Sequence, residues 1–144
     1  MTAATAKTWR VTIPGWRPAL LNELMGHPLQ AARRKARDAR IVAGACHLAG
    51  VPPVAVPRAE RRRRAALGLA GPLPGDPAPR RRSVALAIAT PRGRIDPDAP
   101  LKSTLDGLVS AGLLVDDSAR WCAWSVPALS RGPLATTLTL ADLD

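Results

Sequence analysis

The chain has 144 residues, enough for one domain with a modest core, and no apolar run of transmembrane length. It has no Phe or Tyr and only four Trp, so the core must rest on Leu, Val, Ile and Ala. Ala buries little area, which points to support from a partner subunit. Two isolated cysteines, Cys46 and Cys122, exclude a disulfide framework and read as small buried apolar residues.

The net charge of +10 is divided unevenly. Residues 1–94 carry 18 Lys and Arg against 4 Asp and Glu, whereas residues 95–144 carry 3 against 7. A GC-rich genome would raise the arginine count but would not segregate the acids. A basic body attracts phosphate, and a local acidic site binds cations. The N-terminal residues carry no signal-peptide pattern, so the expected location is the cytoplasm, with no membrane partner.

Residues 8–13, Thr-Trp-Arg-Val-Thr-Ile, alternate as a strand does and stop at Pro14-Gly15. Residues 16–27 read as a loop around Asn22, Gly26 and His27. From Pro28 to about Leu48 the period is helical. Leu29, Ala32, Ala36, Ala39, Val42, Ala43 and Cys46 share one stripe, and Arg33, Arg34, Lys35, Arg37 and Arg40 form much of the remaining surface. Gly50 is the stop signal.

Residues 51–83 hold seven prolines and the runs Arg61–Arg64 and Arg80–Arg82. They read as a solvated, flexible Pro/Arg-rich insertion in a single domain spanning 1–144. A basic loop that tracks a nucleic-acid backbone is the sharper alternative. A short helix is weakly signalled at 58–69.

Residues 84–90 alternate large and small, as in a central strand. Val84, Leu86 and Ile88 are expected to face the core, and the alanines to lie under a packed helix or another backbone. Pro91 and Gly93 turn the chain. Residues 100–111 then read as a helix capped by Asp98, with Pro100 in its first turn. It would bury Leu101, Leu105, Leu108 and Val109 and end at Gly112. Two further strands are expected at 120–126 and 134–140, with 127–133 as their connection. The sum is an α+β fold: a small mixed sheet packed by two main helices.

The acids concentrate at Asp96, Asp98, Asp116 and Asp117, with Lys102 and Asp106 between them. Asp96 and Asp98 are two apart on an extended segment, so both point the same way. Asp116 and Asp117 follow the same helix after a short turn, so the two pairs can converge. Carboxylates supply hard oxygen ligands for Mg²⁺ and leave positions for water and phosphate. Lys102, on the first turn and off the leucine stripe, can stabilise charge developing on a phosphorane. The bland reading is that Asp-Pro-Asp and Asp-Asp-Ser are ordinary turns and caps.

The stretch Arg94-Ile-Asp-Pro-Asp-Ala-Pro-Leu-Lys-Ser-Thr-Leu-Asp-Gly-Leu, followed by Gly112-Leu-Leu-Val-Asp-Asp, resembles the RusA family of Holliday junction resolvases. Asp96 and Asp98 match that family's first acidic pair, Lys102 its lysine, Leu105-Asp106-Gly107-Leu108 its helix, and Asp116 and Asp117 its second pair. Ile13-Pro14-Gly15 and Asn22 resemble its opening strand and loop. Ala99 stands where the family usually has Asn. The resemblance implies a RusA-like homodimer whose two sites nick opposing strands of branched DNA with Mg²⁺, or Mn²⁺ in its place. It implies Asp96, Asp98, Lys102, Asp116 and Asp117 as catalytic residues, with Asp96, Asp98 and Asp117 holding the metal. Arg33, Arg34, Lys35, Arg37, Arg40, Arg92 and Arg94 would contact DNA phosphates. Such proteins are often encoded by prophages, so a role in recombination is implied too.

Other residues read more plainly. His27 and His47 have no zinc-ligand partners and are expected as core or surface histidines. Trp121 and Trp124 are expected mainly in the core, with base stacking as the minor option. Trp9 and Trp16 are candidate dimer contacts. Asp106 is placed to pair with Lys102 at i, i+4, or to position it. Two competing readings stay open: a non-catalytic DNA-binding relative, and an RNA-binding accessory protein with a structural acidic loop.

Overall fold

The computed structural model describes residues 7–143. Within them the order is β1 (Thr8–Pro14), α1 (Leu21–Leu24), α2 (Pro28–Leu48), α3 (Arg58–Ala66), β2 (Arg81–Thr90), α4 (Asp98–Ser110), β3 (Cys122–Trp124), β4 (Ala128–Arg131) and β5 (Ala135–Leu143). The fold is α+β, with five strands in one mixed sheet ordered β1-β5-β2-β3, and β4 also on β2. β5 is antiparallel to both β1 and β2. β3 and β4 lie parallel to β2, at Arg82–Val84 and Ala87–Thr90. Parallel pairing needs a long crossover, and α4 supplies it. Among the described residues no helix is long and apolar enough to cross a membrane.

The segment 127–133, expected as a connection, contains β4. Pro127 has no N–H to give to a ladder, so the edge strand breaks after Trp124 and resumes at Ala128. β2 also starts three residues earlier than the sequence pattern indicates, at Arg81.

Val84, Leu86 and Ile88 of β2 are buried, as expected. They join Val11, Leu138 and Leu140 from the sheet, Val42 and Cys46 from α2, and Leu101, Leu105 and Leu108 from α4 in one core cluster. Each fully buried side chain of this size contributes about 1.5–3 kcal/mol. The alanines do not lie under a helix. Ala85 and Ala87 are exposed, so that side of β2 is open.

α2 spans the predicted residues, but its buried face differs in part. Val42 and Cys46 are buried as expected and Ala39 and Ala43 are half-buried, but Leu29, Ala32 and Ala36 are exposed and Asp38 joins the buried line. Asp38 is held inside by polar partners. Its carboxylate accepts hydrogen bonds from the Trp16 indole (3.3 Å) and from the Ala19 amide (2.9 Å). These donors need an acceptor inside, because an unmatched buried polar group costs about 1–3 kcal/mol. The loop 16–27 contains the short α1, organised by Glu23, which accepts from the Leu20 amide (2.8 Å) and pairs with Arg17 (2.6 Å) and Arg34 (3.1 Å). The Arg17 contact, chiefly, holds the Glu23 carboxyl below its usual range.

Residues 51–83 are folded onto α4. Val51 and Val54 are buried, and the amides of Val54 and Ala55 donate to the Gly112 carbonyl (2.8 and 3.1 Å). Arg64 grips Asp76 with two hydrogen bonds (2.8 and 2.9 Å), and Asp76 also accepts from the Leu73 amide. The run Arg80–Arg82 is not simply solvated either: Arg82 is fully buried.

Gly112 locks this segment to the end of α4. Its φ is +77°, and a Cβ there would stand 2.3 Å from the Ala55 carbonyl oxygen. Gly112→Ala is therefore expected to cost about 2–4 kcal/mol in urea unfolding, from backbone strain and weakened hydrogen bonds. Gly44, with nothing near its would-be Cβ, is the control: Gly44→Ala is expected to gain about 0.5–1 kcal/mol.

Candidate functional site

α4 carries its leucines into the core and presents Asp98, Lys102 and Asp106 on one exposed line at i, i+4 and i+8. This line forms one wall of a cleft of about 590 Å³. Asp96 and Ala99 join that wall. Leu21 and Leu24 of α1, with Met25 just after it, form an apolar wall, and α2 adds Lys35, Ala36 and Ala39. Close approach of α2 to α4 is permitted by Gly107, where a Cβ would meet the Ala39 Cα at 3.2 Å. Arg58, from the first turn of α3, also lines the cleft.

Asp98 does not cap α4; it is the first helical residue. The capping role falls to Asp96, whose Oδ1 accepts the Asp98 amide at 3.0 Å. Asp116 makes the same kind of turn, accepting the Ser118 amide at 3.2 Å. The turn reading of both acidic pairs is thus correct, but it uses only one oxygen of each pair's first residue.

Asp116 and Asp117 lie beyond the end of α4 and do not line the cleft. They are linked to it electrostatically. A hydrogen bond between the two carboxyls, with the Ser118 amide and the nearby Arg61, holds Asp116 below the usual carboxylate range. The same bond, with partial desolvation and the negative charges of Asp116 and Asp106, lifts Asp117 above it. Asp106, which lines the cleft with Asp96 and Asp98, is thus close enough to Asp117 for its charge to be felt there. Among the described residues, no three His, Cys, Asp or Glu side chains form a group that could hold a metal ion as they stand. The expected triad Asp96, Asp98 and Asp117 is not gathered into one shell.

The other acids among the described residues are spent within the fold. Glu23, Glu60, Asp76 and Asp142 each pair with arginine, and Asp38 is hydrogen-bonded inside. Among the described residues, none of Asp96, Asp98, Asp106, Asp116 and Asp117 pairs with a base within 4.0 Å. The expected Lys102–Asp106 ion pair is absent at that distance. Five carboxylates therefore remain without a basic partner on a chain with 21 Lys and Arg. Mg²⁺ fits such a donor set: it takes hard oxygens, and one or two protein carboxylates suffice when waters and a substrate phosphate complete the octahedron.

Of the basic residues expected to face phosphate, Lys35 lines the cleft and Arg34 is paired with Glu23. Arg33, Arg37 and Arg40 are exposed on α2. Arg92 and Arg94 line a second cavity. Trp124 is half exposed at the end of the edge strand β3, not in the core. Trp9 lies against the Arg82 guanidinium (5.0 Å), and Trp16 bonds Asp38, so both are engaged within the chain. His27 caps α2, its Nδ1 accepting from the Leu29 amide at 3.2 Å. Burial pushes the Cys46 thiol up to about 11 and raises that of Cys122, so neither supplies a thiolate nucleophile.

Sequence reasoning missed Arg58, because nothing local indicates that α3 docks against α4. Asp106 could have been placed on the cleft from its spacing to Asp98 and Lys102. No protein-family model matches the chain, and no curated protein matches it.

Proposed function

We propose that this chain is a Mg²⁺-dependent endonuclease that nicks Holliday junctions or other branched DNA, RusA-like in architecture and acting as a homodimer. The observation that carries this reading is the set of five unpaired aspartates around α4, beside Lys102, Lys35 and Arg58, on an otherwise basic chain. The motif resemblance over residues 94–117 points the same way.

Mg²⁺, when bound, would neutralise phosphate charge and lower the pKa of an attacking water. Asp96 and Asp98 would hold it, with Asp106 as a further oxygen donor on the same wall; Asp117 would have to move toward them to join. The Asp96–Asp98 turn fixes the direction of the first carboxylate. Lys102 supplies a fixed positive charge on the same wall, where the non-bridging phosphate oxygens would lie. Lys35 and Arg58 would orient the phosphate from α2 and α3, and the α2 arginines would draw in flanking backbone. A two-fold dimer would place two such sites for paired nicks.

One observation favours a second reading. Ala99, in place of the family's Asn, lies on the cleft wall itself. A chain that binds branched DNA without cutting it would have its defect there. The test is a synthetic four-way junction with and without Mg²⁺, with the products mapped. Paired symmetric nicks that need Mg²⁺ are expected. Tight binding without nicks, restored to cleavage by Ala99→Asn, would establish the non-catalytic relative instead; preference for RNA over branched DNA would exclude both.

A further inference from the structure

The segment before α4 and the short α1 each contribute residues to two different cavities. The segment from Arg94 to Asp98 turns its aspartates into the first, while Arg94 and Ile95 line the second, of about 490 Å³. α1 and its flanking residues divide in the same way, with Leu21, Leu24 and Met25 lining the cleft and Leu20, Asn22 and Glu23 lining the second cavity. Arg17, Thr90 and Arg92 complete the polar lining of the second cavity.

Its charge is positive and largely uncommitted. Among the described residues, Arg92 and Arg94 have no carboxylate partner within 4.0 Å. Glu23, the one acid in the lining, is already neutralised by both Arg17 and Arg34. The loop that carries the two free arginines is braced. The Gly93 amide donates to the Thr90 hydroxyl (2.9 Å) and carbonyl (3.1 Å), and the Gly132 amide donates to the same carbonyl (2.9 Å). Arg131 packs so closely that a Cβ on Gly93 would meet its Cβ at 3.1 Å. The braced backbone fixes where both arginines leave the loop, and their unpaired guanidinium groups can give charge-assisted hydrogen bonds to an anion.

We infer that this cavity is a single-phosphate site, in which Arg92 and Arg94 together hold one backbone phosphate of the nucleic-acid strand whose neighbouring phosphate enters the acidic cleft. The strand would cross the ridge of residues 94–98. The role of the neighbouring phosphate rests on the proposed nuclease reading; phosphate binding in the cavity does not.

The test uses the full chain without Mg²⁺. Inorganic phosphate is titrated while backbone amide resonances are followed by NMR, and duplex DNA affinity is measured over a series of salt concentrations. Phosphate is expected to shift the amides of Asn22 and Arg92–Ile95. Arg92→Ala and Arg94→Ala should each remove most of that response. The double variant should lower the slope of log K against log salt by about 1, the value for one neutralised phosphate, and not by about 2. A 5′-phosphorylated thymidine oligonucleotide that binds here more tightly than inorganic phosphate would identify a strand as the source; equal affinity would overturn the nucleic-acid assignment. No shift in the loop, or a slope change of about 2, would overturn the shared single site. None of these readouts requires cleavage, so an uncut junction counts against the nuclease reading alone.

Discussion

Asp96→Asn is expected to reduce Mg²⁺-dependent junction cleavage on the order of 10³-fold while leaving junction affinity unchanged or slightly higher. The substitution is nearly isosteric, and its consequence for the fold can be derived. Asp96 holds the start of α4 through one oxygen, which accepts the Asp98 amide. An Asn side chain keeps that acceptor, so the turn and the helix should survive. What is lost is the negative charge, and with it the attraction for a divalent cation. On the proposed reading, affinity for DNA would come from the arginines of α2 and the β2–α4 loop, and removing a negative charge beside them would not weaken it. The matched control is Asp38→Asn, which alters an acid committed to the interior and should affect stability before chemistry. Urea unfolding of all three proteins, beside single-turnover cleavage, separates the two effects. Full cleavage by Asp96→Asn would remove the metal site from the proposal.

The sequence revealed elements wherever a local period was uninterrupted. β1 and α2 lie within about a residue of expectation because Pro14-Gly15 and Pro28 punctuate them clearly. The face that α2 buries was legible in its C-terminal half, where Val42 and Cys46 are buried as expected, but not at Asp38, whose burial is set by a tertiary demand from Trp16 and Ala19. β4 was hidden because four residues beside a proline carry no alternation. In the candidate site, Asp96, Asp98 and Lys102 were found from spacing alone, and they do share a wall. Asp116 and Asp117 were expected to close on them, but a motif gives order along the chain and not the separation across a turn. The placement of Arg58 depends on Gly112 receiving residues 54–57, a contact between segments more than fifty positions apart that no local pattern encodes.

The largest effect on stability is expected at Asp142→Ala, at about 3–5 kcal/mol. Arg82 is fully buried, and its Nε donates to Asp142 at 2.8 Å. Its Nη1 donates to the Leu113 carbonyl at 2.9 Å, its plane lies near Trp9, and its Nη2 has no partner. Removing Asp142 would leave a guanidinium charge inside the core with one carbonyl for compensation. Arg82→Met should cost less. The remaining Asp142 is nearer the surface and has Arg80 at 3.7 Å. The double variant Arg82→Met/Asp142→Leu should be less destabilised than Asp142→Ala, because an imperfectly satisfied buried pair contributes specificity more than net stability. Chemical denaturation of the three variants checks the order, and a double variant as unstable as Asp142→Ala would refute it. The pair also bears on the site. Leu113 begins the turn that leads to Asp116 and Asp117, so the hydrogen bond from Arg82 fixes where the second acidic pair leaves the core. A double variant that regains stability but still cleaves poorly would show that this arginine is kept to position those carboxylates.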